Sequence, residues 1–68
     1  MIRENYGKFL TDKRIEQELT LKQLSEKSGV SVERLTHIEK ENKKRFSIHD
    51  FMRHLKALDV ALSEVIYD

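Results

Sequence analysis

The chain has 68 residues, no cysteine and no proline, and 37% of it is charged; that length suits one domain near the lower limit for a fold held by its core alone, and the missing thiols exclude a disulfide framework and thiolate zinc ligands. No apolar run approaches the ~20 residues of a membrane span, and no signal-peptide core is visible, so a cytoplasmic protein with no membrane partner is expected. Net charge is only +1, but all 13 Lys and Arg fall within residues 1–56 beside nine acids, whereas residues 57–68 hold three acids and no base, which gives the chain an acidic end that should face away from any polyanion.

A first helix is expected from a cap near Asn5 to about Glu18, with Tyr6, Phe9 and Leu10 as its apolar face. Thr20 followed by Gln23 makes a capping box, with Leu19 and Leu24 at the staple positions around it. Gly29 ends that second helix, because glycine enters the left-handed region without a Cβ penalty. Ser31 then caps a third helix. Leu24, Val30, Leu35 and Ile38 are the apolar contacts that lock the two helices, with Ser25 small enough to let them approach. Two short helices meeting at such a turn, over about residues 20–40, form a docking device for the DNA major groove.

Behind it lies the densest basic run, Lys43-Lys44-Arg45, preceded by Asn42, which tolerates the left-handed region and is expected to supply the turn. In isolation such a run reads as a solvated loop; directly behind a helix–turn–helix it reads as a phosphate contact. Ser47 caps a fourth helix with Asp50 in its first turn, and Ile48, Phe51, Met52, Leu55 and Leu58 recur at helical spacing as its buried stripe. Leu62, Val65 and Ile66 mark a short fifth helix at about 62–67. The expected fold is therefore all-α, a compact five-helix domain spanning residues 1–68.

Metal and catalytic chemistry find no support. His49 and His54 are five apart and diverge around a helix, while Asp50 and His54 share a face but lack a third ligand. The histidines are read as surface residues. No nucleophile, base and orienting group can be assembled, so neither an enzyme nor a cofactor is expected.

Several spaced features carry a resemblance: Arg14 in the first helix, Leu24-Ser25 through Gly29-Val30-Ser31, Ile38-Glu39 closing the third helix, and Leu55-Lys56-Ala57-Leu58-Asp59-Val60 before the last. Over about Phe9 to Ile66 the chain resembles the lambda-repressor-like, or Xre/Cro, helix–turn–helix domains of phage and bacterial regulators. It departs from them at Leu21 and Val32, where the family often has a pair of glutamines, at Glu41 in place of a glycine, in lacking a proline before the fourth helix, and at Ala61 in place of a capping serine. That last change costs about 1 kcal/mol of helix start.

The resemblance implies a dimeric DNA-binding regulator, a repressor on a palindromic operator, and it places base contacts at Val32, Glu33 and His37. Helical spacing turns Thr36 outward with them. Val32 suits a thymine methyl, Glu33 cytosine N4 and His37 guanine, each contact contributing roughly 1–3 kcal/mol of discrimination; Glu33 also serves to reject wrong sites. Phosphates fall to the start of the second helix, with Thr20, Lys22 and Gln23, and to Lys40, Asn42, Lys43, Lys44 and Arg45 on the other flank. The family's pattern further implies an ion pair between Arg14 and Glu39. One small module buries too little DNA for tight specific binding, so a homodimer is expected, with Leu62, Val65, Ile66 and Tyr67 as the self-contact. Two other readings stand beside this one: an antitoxin-like protein that binds a partner toxin and represses its own operon, and a protein-interaction module that kept the fold and lost DNA binding.

Overall fold

The computed structural model describes residues 2–66. Four α-helices follow in order, α1 (Tyr6–Glu16), α2 (Leu21–Ser28), α3 (Val32–Glu39) and α4 (Ile48–Ala57). The expected fifth helix is a single 3₁₀ turn, Leu62–Glu64. Ala61 offers no capping oxygen; only the return bond forms, from its N–H to Glu64 Oε2 at 2.8 Å. The two ends of the described chain meet in an antiparallel bridge between Ile2 and Ile66, with the Arg3 N–H on the Val65 carbonyl at 2.6 Å.

The core gathers Tyr6 and Leu10 from α1, Leu24 from α2, Val30 from the turn, Leu35 and Ile38 from α3, and Phe51, Leu55 and Leu58 from α4 and its end. Tyr6 meets Phe51 edge to face, ring centres 5.5 Å apart, and Phe46 stacks on the other side of Phe51 at 6.0 Å. The buried stripe of α4 differs from the expected one. Ile48 and Met52 are exposed, and the inward positions are Phe51, His54, Leu55 and Leu58. Both sets have helical spacing; packing against α2 and α3 selects the second.

His54 is thus a core residue and not a surface one. It is fully buried, and neither ring nitrogen has a hydrogen-bond partner among the described residues. Burial pushes its pKa down to about 4, with Arg14 adding to that shift and Glu39 opposing it. The imidazole is therefore neutral at ordinary pH.

Asn5 precedes α1 in the left-handed region, and its side chain makes no cap bond. The helix stops at Glu16, before the expected Glu18, because Glu18 itself turns left-handed with φ 57°. Its N–H reaches the Ile15 carbonyl and the Leu19 N–H reaches that of Arg14, the two bonds of a Schellman turn. The ends of α3 and α4 repeat this arrangement. Glu41, φ 60°, bonds Ile38 while Asn42 bonds His37; Asp59, φ 58°, bonds Lys56 while Val60 bonds Leu55. Glu41, and not Asn42, takes the turn after α3. Three helices therefore end on an acid in a conformation that strains a side chain, where a carboxylate also opposes the helix dipole. Only α2 ends on a glycine, Gly29 at φ 77°.

The end of α3 is held against α1 by two features. Gly7 lets the backbones touch, since a Cβ there would collide with the Glu39 carbonyl oxygen. Arg14 then grips Glu39 through a fork, Nε to Oε2 at 2.8 Å and Nη2 to Oε1 at 3.3 Å, while its Nη1 donates to the Leu19 carbonyl at 2.9 Å. Both side chains are largely buried, so the pair matters more than a surface bridge.

Three outcomes follow for stability. Glu41→Gly relieves the left-handed strain and is expected to stabilise by about 1 kcal/mol, a rise of roughly 4–8 °C in melting temperature by calorimetry. Arg14→Ala leaves the Glu39 carboxylate buried and unpaired, a loss of about 3–5 kcal/mol; an unchanged melting point with equal loss of specific and non-specific DNA affinity would give Arg14 a DNA role instead. For His54, the unfolded chain takes up a proton near 6.5 and the folded chain only near 4. Stability present above 6.5 is therefore lost as pH falls towards 4, by at most about 3 kcal/mol. His54→Leu should remove that component, which denaturant melts between pH 7 and pH 4 would read as a widening gap from wild type.

Candidate nucleic-acid interface

The α2–α3 unit is built by its caps. Thr20 Oγ1 accepts from the Gln23 N–H at 3.1 Å, and Gln23 Oε1 accepts from the Thr20 N–H at 2.9 Å. This box uses the Thr20 and Gln23 side chains internally, so the first turn of α2 offers the N–H groups of Leu21 and Lys22 outward. The Gly29 N–H returns to the Ser25 carbonyl at 2.9 Å, and Ser28 Oγ accepts from Val30 N–H at 3.1 Å. Ser31 Oγ then accepts from Arg34 N–H at 3.2 Å and starts α3. With Leu24, Val30, Leu35 and Ile38 all buried, the angle between the helices is set by the core.

The outward face of α3 is uneven. Val32 is 41% exposed, and the Glu33 side chain is 83% exposed, both in the first turn. Thr36 and His37 are half-buried. The Thr36 hydroxyl donates to the Val32 carbonyl at 2.8 Å, so it is turned towards its own helix. His37 Nε2 stands 3.8 Å from Glu33 Oε1; the two are near neighbours on the same face but beyond hydrogen-bond range.

Lys40, Asn42, Lys43, Lys44 and Arg45 are all exposed, but they do not act as one patch. Lys43 leans back over the Tyr6 ring, 6.0 Å from its centre. Lys44 and Arg45 instead wall an open cleft of about 770 Å³, whose opposite side is α3 with Glu33, Arg34 and His37. Asp50 closes its floor. The carboxyl of Asp50 lies below the usual range because it accepts the Ser47 N–H, at 3.1 Å; burial opposes that shift, and Arg34 and Arg53 add to it.

Arg34 was not among the residues expected from sequence to touch DNA. Its guanidinium, 61% exposed, stands 3.6 Å from Asp50. No sequence signal links two residues sixteen apart across different helices. Its place in the first turn of α3, next to outward-facing Glu33, was the one available hint.

The expected self-contact residues separate. Val65 is fully buried and belongs to the core, drawn in by the bond from Arg3 to its carbonyl. Ile66 is half-buried against that core and bridged to Ile2. Leu62 is 41% exposed, and Tyr67 lies outside the described residues. Leu62 shares a shallow groove with exposed Met52, bordered by Lys56, Asp59 and Glu64. Among the described residues no group of three or more His, Cys, Asp or Glu side chains is placed to hold a metal ion.

Neither a curated protein nor a solved structure matches the chain significantly. A family model described as helix-turn-helix does match, over residues 10–65, which takes in everything from the middle of α1 to the end of the 3₁₀ turn. With capped helices meeting at Gly29, a locked recognition helix and a basic segment behind it, the chain belongs to the lambda-repressor/Xre-like helix-turn-helix family of DNA-binding regulators.

Proposed function

We propose that the protein is a sequence-specific transcriptional repressor that binds a palindromic operator as a homodimer. The observation that carries this reading is the first turn of α3, where Val32 and Glu33 project into solvent while the far end of the helix is clamped to α1 through Glu39. A groove-reading helix needs that combination of free N-terminal side chains and a fixed axis. Val32 reads a thymine methyl, Glu33 accepts from cytosine N4 and selects against other bases, and His37 donates to guanine. Thr36 contributes its methyl group, its hydroxyl being engaged within the helix.

Phosphates are held on one flank by the Leu21 and Lys22 N–H groups, with Thr20, Lys22 and Gln23 lining that helix start. On the other flank they meet Lys40, Asn42, Lys43, Lys44 and Arg45. Such contacts position the protein and make affinity fall with salt. Among the described residues no helix is long and apolar enough to cross a membrane, and a DNA partner suits a cytoplasmic location.

A second copy of the chain is the occupant we assign to the groove at Met52 and Leu62. Lys56 borders it beside Asp59 and Glu64, so the groove carries apolar surface and both signs of charge, as a self-complementary twofold contact requires. Operator palindromy requires the same symmetry.

Selection from a random duplex pool at near-physiological salt is expected to enrich an inverted repeat with half-site centres about one helical turn apart. Val32→Ala and His37→Ala should each lose roughly 1–3 kcal/mol on that site and relax selection at a single base position, while Met52→Asp with Leu62→Asp should leave a monomer in sedimentation and half-site binding only. No enrichment at all would turn the assignment towards a protein partner.

A further inference from the structure

Arg34 is the only Lys or Arg within α3. Its backbone is fixed, because its N–H sits on Ser31 Oγ at 3.2 Å, but its side chain is loosely held. Nη1 lies 3.6 Å from Asp50 Oδ1, beyond hydrogen-bond range. Asp50, by contrast, does not depend on Arg34. Its Oδ2 accepts the Ser47 N–H and its own N–H donates to Ser47 Oγ at 3.2 Å, so the carboxylate is anchored by the cap of α4. The result is a fixed negative charge on the floor of a cleft whose walls carry Lys44 and Arg45. For a surface that meets DNA phosphates this charge is unfavourable, and a neutral asparagine would keep an acceptor for the Ser47 N–H while giving up the carboxylate's stronger bond and its favourable interaction with the helix dipole.

Helical spacing places Arg34 directly beneath His37 and Ile38, its i+3 and i+4 neighbours. It therefore occupies the flank of α3 that turns to the cleft, beside the outermost base-reading face and not on it. A guanidinium on that flank matches a phosphate in two-pronged geometry. We infer that Arg34 is a DNA phosphate ligand held in reserve by Asp50. In the free protein the guanidinium rests against Asp50; on docking it swings to a backbone phosphate beside Lys44 and Arg45. Asp50 is thereby an internal counter-ion that sets how tightly the domain holds any duplex. The inference rests on α3 being the helix that enters the groove.

Fluorescence anisotropy titrations over a range of salt concentrations, on a labelled duplex carrying the selected site and on an unrelated duplex of equal length, test this with four proteins: wild type, Arg34→Gln, Asp50→Asn and the double variant. Arg34→Gln is expected to weaken both duplexes alike and to reduce the slope of log affinity against log salt by about 0.9. Asp50→Asn keeps an acceptor for the Ser47 N–H and should tighten both duplexes, by up to about fivefold, the most that an exposed ion pair holds back. In the double variant that gain should shrink to the small part that comes from the Asp50 charge itself, since the rest acts through Arg34. A gain of the same size with and without Arg34→Gln would overturn the inference, leaving Asp50 as a plain repulsive charge. So would an unchanged salt slope for Arg34→Gln, whose exposed side chain makes it a fold-neutral change that decides alone should Asp50→Asn unfold. A loss confined to the selected site would make Arg34 a base reader, again against the inference. Wild type without salt-dependent binding to either duplex would remove the DNA reading itself and this inference with it.

Discussion

The two-pronged grip of Arg14 on Glu39 is the constraint on which the rest of the molecule depends. An eight-residue helix such as α3 has too few internal hydrogen bonds to hold itself in water, and its apolar side consists of little more than Leu35 and Ile38. Beyond that packing, what pins its far end is a charge supplied from α1, twenty-five residues earlier. The same guanidinium binds the Leu19 carbonyl, so the chain entering α2 is registered to the end of α3 by one side chain. Gly7 makes this possible by letting α1 come against the Glu39 carbonyl with no side chain between them. Ala has the higher helix propensity by about 1 kcal/mol, and at this position steric contact outweighs it.

That arrangement has a polar cost at its centre. His54 lies fully buried, close enough to Arg14 and Glu39 to feel both charges, and the Tyr6 hydroxyl in the same core has no hydrogen-bond partner among the described residues. A buried carboxylate–guanidinium pair is stabilising only while both members stay matched. A protonated imidazole beside it would add a third charge, and the low pKa keeps that from happening across the neutral range. The core is therefore tuned for charge neutrality as much as for volume.

The caps were the most legible part of this chain. Thr20 with Gln23, Ser31, and Ser47 with Asp50 each announce a helix start through a hydrogen bond between residues three apart, and local chemistry of that kind survives any tertiary context. The end of α2 at Gly29 was legible for the same reason. What the spacing could not settle is the rotation of α4: Phe51, Leu55 and Leu58 go inward as expected, but Ile48 and Met52 of the same expected stripe stay exposed, because packing against α2 and α3 turns the helix towards His54. His54 goes inward with the stripe, where a surface histidine is expected from the sequence. The left-handed turn after α3 falls on Glu41, although propensity favours Asn42; the closing bonds from Glu41 and Asn42 to Ile38 and His37 fix the register, and tertiary position overrides preference. In the interface, Val32 and Glu33 stand outward as helical spacing implies, whereas the separation of Lys43 from Lys44 and Arg45, and the reach of Arg34 to Asp50, depend on long-range placement. Val65 was drawn into the core by an N-terminal segment whose pairing no local pattern encodes.

Three helices that end on left-handed acids, at Glu18, Glu41 and Asp59, also bear on how long the molecule lasts. Each kilocalorie of strain left in a domain raises its unfolded fraction about fivefold, and cellular proteases act on that fraction. A domain built this way is more open to proteolysis than one with glycine at the same three turns.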